Sequence, residues 1–131
     1  MAHRKIQKGA HSQLICATAL IANGWEVAEP LVTEAYDLVA KPPNSDEWKQ
    51  IQVKTAKVRA DRGNAVVVAG TKNNGSPYTE NEVDYMAGVM ENGDVYIFEC
   101  RGLKEYWATP NTIAKWVKLT TRFEEIGQAK A

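Results

Sequence analysis

The sequence predicts one domain of the α/β or α+β class, built on a central mixed β-sheet with helices against it. Three observations predict it. The chain opens with a segment of helical periodicity, continues through several short β-branched segments punctuated by turn formers, and closes with a second helix-like segment that carries its own cap. Its 131 residues suit a single core and leave no room for a second domain, so the domain is expected to span residues 1–131.

The elements follow in order. Over residues 8–23, Leu14, Ala17 and Ile21, and beside them Ile15, Ala19 and Ala22, recur at three- and four-residue spacing, which predicts a helix. Asn23-Gly24 then offers it a left-handed C-cap. Residues 25–29 and 35–41 read as strands, and the turn formers of residues 41–47, Pro42-Pro43-Asn44 among them, bend the chain back. Residues 48–59, WKQIQVKTAKVR, alternate polar and apolar side chains as a strand does. Residues 64–70, NAVVVAG, form a β-branched run expected to be buried on both faces, and residues 71–82 form a polar loop. Residues 83–90 and 95–100 flank Asn92-Gly93, which predicts a two-residue hairpin with positive φ at both central positions. Thr109-Pro110 reads as an N-cap and first helical residue, leading into a helix over residues 111–118 with Ile113, Trp116 and Val117 on one face. The tail after Lys118 carries no assignment.

Composition excludes several classes. A hydrophobic fraction of 44% with 24% charged residues is ordinary for a globular protein, and no apolar run is long enough to predict a membrane span. The basic N-terminus lacks the apolar region of a secretory signal, so an intracellular setting, cytoplasmic or nucleoid-associated, is expected. Cys16 and Cys100 stand far apart without a ligand pattern and read as small buried hydrophobes. Sixteen basic residues balance sixteen acidic ones, which argues against a globally basic nucleic-acid binder. The basic residues nevertheless cluster, as Arg4, Lys5 and Lys8 and again as Lys54, Lys57, Arg59 and Arg62. Taken alone, such a cluster is more often a solvated surface than a phosphate track.

The side-chain period of two puts Gln52 and Lys54 on one face of their strand, about 7 Å apart, with Ile51 and Val53 on the other. The apolar pair is expected to face a core and the polar pair to face away from it. If the preceding strand pairs with this one, Asp37 lies beside Gln52 and Lys54. A carboxylate, an amide oxygen and an ammonium converging on one spot suit phosphodiester hydrolysis. Asp37, Gln52 and a nearby main-chain carbonyl, that of Val53, would hold magnesium, an oxygen-seeking ion, while Lys54 positions the attacking water and offsets developing charge. The competing reading is that all three are ordinary exposed strand residues, since Gln-x-Lys in a strand is common.

The ordered blocks KGAHSQLICATALIANGWEV, YDLVA and IQVKTAKV, with EVDYMAGVMENGDVYIF after them, resemble the PD-(D/E)XK nuclease superfamily over most of residues 4–100. Within it they are most similar to the small branch of intron-encoded homing endonucleases, with archaeal-type Holliday junction resolvases as cousins. The resemblance implies an α/β, restriction-endonuclease-like domain with a central mixed β-sheet flanked by helices. It also implies an endonuclease dependent on Mg2+, with Mn2+ as a substitute. By matching position, Asp37 is the metal-binding aspartate, Gln52 the second motif residue, where this branch uses glutamine, and Lys54 the motif lysine. The helix position that usually carries glutamate is Gln13 here. That leaves Asp37 as the one unambiguous carboxylate, and three explanations compete: Gln13 orients a water through its amide oxygen, Glu34 or Glu29 supplies the charge, or the chain binds DNA without cutting it efficiently. The resemblance further implies DNA contacts from Arg4, Lys5, Lys8, Lys57, Arg59 and Arg62, no membrane partner, and a homo-oligomer, dimer or dimer of dimers, with residues 95–100 or the C-terminal helix at the contact. Trp107 and Trp116 are expected in the core or at that interface.

Overall fold

A computed structural model describes residues 2–123, in the order α1 (Ala2–Ala22), β1 (Glu26–Ala28), β2 (Leu38–Lys41), β3 (Lys49–Thr55), β4 (Lys57–Arg59), β5 (Ala65–Ala69), β6 (Tyr85–Val89), β7 (Val95–Glu99), β8 (Glu105–Ala108) and β9 (Val117–Leu119). Six strands make one mixed sheet in the order β1-β2-β3-β6-β7-β9, antiparallel except for the parallel pair β3–β6. Strands β4, β5 and β8 make a second, antiparallel sheet. This is a small α/β arrangement with, among the described residues, one α-helix against its main sheet.

Helix α1 starts well before the periodic segment, and the side chains of residues 3–11 are all exposed. Packing begins at Ser12 and follows Cys16, Ala19 and Leu20, a stripe of small and apolar side chains that lets the helix lie close to the sheet. Leu14 and Ile21, which the periodicity marks equally well, lie on the outer face, more than half exposed. The helix ends as its sequence predicts. Gly24 takes φ +88°, and its N–H and that of Trp25 close onto the carbonyls of Ile21 and Leu20, capping two otherwise orphaned acceptors.

Alternation along the central strands sorts their side chains into two cores. Ile51, Val53, Ala87, Val89, Val95 and Ile97 face α1. Met86 and Phe98 face the second sheet, where they meet Val66, Val68, Tyr106 and Trp116. Phe98 stacks on Trp116 with ring centroids 4.3 Å apart and tilts against Tyr106 at 4.9 Å, pairs worth about 0.5–1.5 kcal/mol each beyond the area they bury.

Four expectations are corrected. The strand predicted over residues 48–59 divides at Ala56, whose N–H bonds to the Val89 carbonyl as the last rung beside β6, before Lys57 leaves to join β5. The hairpin at Asn92-Gly93 forms, but with a three-residue loop: Gly93 donates to the Met90 carbonyl, Met90 to that of Asp94, and only Gly93 takes positive φ. The helix over residues 111–118 is absent. A short 3-10 turn, Ile113–Lys115, is followed by β9, because Trp116 is drawn into the second core and Val117–Leu119 pairs with β7. Sheet pairing at an open edge outweighs the local helix signal there. Strand β7, proposed from sequence as an oligomer contact, has a neighbour on each side and buries Val95, Ile97 and Phe98, so it presents no free edge. Trp107 in β8, a strand with no sequence expectation, is about half exposed, while Trp116 is buried.

The second sheet sits close over β6 because Gly88 has no side chain. A Cβ there would lie 2.6 Å from Val68 Cγ2, a branched side chain buried with no room to turn. Gly88→Ala is therefore expected to destabilise the fold by about 1–3 kcal/mol through overpacking. Urea titration would read this directly, and a midpoint equal to that of the native chain would show that the two sheets part easily.

Candidate active site

The site forms where β2 runs into β3. The Asp37 N–H donates to the Ile51 carbonyl at 2.9 Å, and Asp37 Oδ2 accepts from the Val53 N–H at 3.1 Å, so the carboxylate takes over a ladder position just before β2 begins. The pairing expected from sequence is present, and it sets Asp37 against the 51–53 backbone.

Gln52 and Lys54 do face away from the helix-side core, but that face is largely covered: Gln52 is buried and Lys54 half-buried. They stand level with Met86 and Gly88 in the parallel register, on the face covered by the second sheet. Gln52 is only 8% exposed. Its Nε2 donates to the Val53 carbonyl at 3.3 Å, and no hydrogen bond engages its Oε1 among the described residues. Lys54 Nζ donates to the Thr71 carbonyl at 2.8 Å and lies 5.3 Å from the centre of the Tyr78 ring. Neither Thr71 nor Tyr78 was singled out for this role from sequence. Tyr78 had a signal, as the one aromatic residue of the polar loop, whereas a backbone carbonyl such as that of Thr71 leaves none.

Burial shapes the electrostatics. It pushes the Asp37 carboxyl above its ordinary range, against the opposing pull of the Val53 N–H and Lys54. It pushes Lys54 down, with Asp37 opposing. The Cys16 thiol, beneath the site in α1, is pushed up to about 12 by burial and then by the Asp37 charge. Each charged group is thus only partly compensated by the other.

The remaining candidates scatter. Gln13 is half-buried, and its amide reaches Glu29 Oε2 at 3.5 Å, the limit of a hydrogen bond; the same turn of α1 is pinned to the end of β3 by the Ser12–Thr55 hydroxyl pair at 2.7 Å. Glu34 lines a pocket of about 450 Å3 with Lys72, Asn74, Glu82 and Tyr78, the ring that also lies beside Lys54. Arg4, Lys5 and Lys8 lie within the exposed start of α1 rather than ahead of it. Lys57 is exposed and unpaired among the described residues, whereas Arg59 is forked onto Asp61 and Arg62 pairs with Glu105.

No cluster of three or more His, Cys, Asp or Glu side chains is placed to hold a metal among the described residues. The donors that do gather, the Asp37 carboxylate, the free Gln52 Oε1 and the Val53 carbonyl, are all hard oxygens. They fit magnesium, which takes one or two carboxylates and keeps its other positions for water and phosphate.

Two sheets and one helix around β3, with Gln52 and Lys54 on that strand and Asp37 bonded to it from just before β2, define a nuclease-type α/β domain. The sequence pattern of the PD-(D/E)XK endonuclease family matches residues 3–126, and the chain belongs to that family. No curated protein sequence matches it. Among solved structures, that of a bacterial homing endonuclease, I-Ssp6803I, superposes with a TM-score of 0.59 at 22% identity, covering 78% of this chain and 72% of that one, a likeness of fold.

A carboxyl whose pKa is raised by folding binds its proton more tightly folded than unfolded. Stability therefore falls as pH rises through the interval from the ordinary carboxylate value to the raised one. Asp37→Asn keeps an oxygen for the Val53 N–H and removes the charge. In chelator at pH 7 it is expected to melt at or above the native chain, and below about pH 3.5, where both forms are neutral, the difference should vanish. A lower melting temperature at pH 7 would show that the Lys54 attraction outweighs burial.

Proposed function

We propose that the chain is a metal-dependent endodeoxyribonuclease. The observation that carries this reading is the grouping of Asp37, Gln52 and Lys54 about one stretch of β3, with Asp37 close enough to Lys54 for their charges to act on each other, in a chain of the PD-(D/E)XK endonuclease family. Asp37, Gln52 Oε1 and the Val53 carbonyl would hold magnesium, or manganese in its place. When bound, the ion supplies positive charge against the phosphate being cut. Lys54 has three donors and spends one on Thr71, which leaves two for an attacking water and a phosphate oxygen. Water adds to phosphorus, the bond to one sugar oxygen breaks, and the proton lost by the water leaves through solvent or that oxygen.

DNA would be held at the end of β3 from which Lys57 emerges. Ser12 meets Thr55 while Trp25 meets Tyr85 beside the start of β3, so α1 runs antiparallel to β3 and its exposed first turns overhang that same end. Arg4, Lys5, Lys8 and Lys57 thereby share it, with Arg59 and Arg62 available where phosphate displaces their exposed ion-pair partners, pairs worth about 0.2–1 kcal/mol. Cutting both strands calls for two copies, which supports a homo-oligomer. The single carboxylate also supports a second reading, a DNA-binding module whose catalysis is weakened.

Cleavage of a labelled linear duplex and a four-way junction, with magnesium, manganese or chelator, tests the proposal. Metal-dependent cutting is expected, reduced about 10²–10³-fold by Lys54→Ala. The preferred substrate separates a homing-type from a resolvase-type enzyme, and binding without cutting in any metal would establish the weakened module instead. If four of the basic residues grip phosphate, the logarithm of affinity should fall with that of salt at a slope of about −3 to −4, and a flat response would remove them from the interface. Restoring an anionic oxygen by Gln13→Glu should tighten magnesium binding several-fold in calorimetry; unchanged affinity would take that helix position out of the metal site.

A further inference from the structure

Resting on the endonuclease reading of this site, we propose that Tyr78 is a positioning residue for cleavage: its ring, together with the Thr71 carbonyl, fixes the Lys54 ammonium at the phosphate. Lys54 is a flexible side chain with a strongly hydrated head, and an unrestrained lysine is a poor tool for placing a water to within the fraction of an ångström that catalysis needs. Here its head meets two fixed groups, a carbonyl at 2.8 Å and an aromatic ring with its centre 5.3 Å away, within the reach of a cation–π contact.

The loop that carries both groups is itself fastened at both ends. At its root, the Gly70 N–H donates to the Lys104 carbonyl at 2.8 Å, and the Tyr78 N–H returns to the Gly70 carbonyl at 3.0 Å. Thr71 and Pro77 bridge across it, and Lys72 N–H bonds to the Ser76 carbonyl. From the second core, Cys100 Sγ donates to the Tyr78 carbonyl at 3.4 Å, so both backbone groups of Tyr78 are engaged before its side chain is considered. Lys72 also comes within 5.8 Å of the ring centre, but its ammonium is held by Glu82, which leaves Lys54 as the cation nearer the ring and without a carboxylate salt bridge. Nothing in this arrangement requires the Tyr78 hydroxyl. A ring suffices.

The alternative is that Tyr78 merely fills the margin of the second core. Two readouts on Tyr78→Phe, Tyr78→Leu and Tyr78→Met, all confirmed folded by circular dichroism, separate these roles. The first needs no activity: acylation of Lys54 by an amine-reactive ester, followed by mass spectrometry with Lys57 as the exposed internal reference. Labelling of Lys54 relative to Lys57 is expected to rise several-fold in the Leu and Met variants and to stay at the native level in Phe. The second is steady-state cleavage, where Leu and Met should lose about 10–100-fold in kcat with KM little changed, while Phe retains native rates. In a Lys54→Ala background the Leu substitution should cost nothing further. Unchanged Lys54 labelling in Leu and Met, or native kcat despite raised labelling, would overturn the positioning role. A native chain that never cuts DNA, with the labelling pattern as expected, would refute the endonuclease reading and leave the anchoring of Lys54 by Tyr78 standing.

Discussion

Strand β3 is covered on both faces at its centre, where Ile51, Gln52 and Val53 are buried, while its ends, Lys54 among them, stay partly exposed. Helix α1 closes over Ile51 and Val53, and the second sheet closes over Gln52 and Lys54. A polar atom carried into that layer finds a partner inside the protein, keeps a path to solvent as the free Gln52 Oε1 does, or costs several kcal/mol. The partners found are each other's neighbours: the Val53 N–H for Asp37, the Val53 carbonyl for Gln52, the Thr71 carbonyl for Lys54. Val53 thus serves two candidate site residues with its backbone while its own side chain fills the helix-side core. The same residue holds the candidate site and the fold together.

Charge compensation between the candidate residues is incomplete. Burial works against both the Asp37 carboxylate and the Lys54 ammonium, and each offsets only part of the other's cost. A fully matched ion pair would be inert; a site short of positive charge near a carboxylate is one that a divalent cation improves. The chain keeps this tension local. Elsewhere its charges settle in exposed pairs such as Arg59–Asp61 and Lys41–Glu26, where water does most of the screening.

How much of this was legible in the sequence depended on whether the signal was local. The C-cap at Gly24, the place though not the turn type of the hairpin before β7, and the alternation of β3 are decided within a few residues, and these were readable. So was the sharing of one face by Gln52 and Lys54, since the period of two is a property of the strand alone. What covers that face is not: the second sheet forms from residues 57–59, 65–69 and 105–108, and its placement rests on Gly88 and Val68 meeting across layers. Residues 111–118 show the same limit from the other side. Thr109 does accept the N–H groups of Thr112 and Ile113, as a helix start would have it, but the burial of Trp116 and an open edge on β7 take over one turn later. Likewise Leu14 and Ile21 were indistinguishable by periodicity from the stripe of Cys16, Ala19 and Leu20 that packs, because only the position of the sheet decides which face is buried.

The overhang of α1 has a thermodynamic side. Over residues 3–11 the helix buries none of its side chains, so about 14 Å of it stands as an extension propagated from the packed turns behind it. Its first turn carries no acidic residue, and Arg4, Lys5 and Lys8 set positive charge where the helix macrodipole is already positive. The free arm is therefore held in helical form against its own electrostatics, and an anion lying along it relieves both terms at once. For any polyanion bound there, helicity in the arm and occupancy would be linked equilibria, each favouring the other.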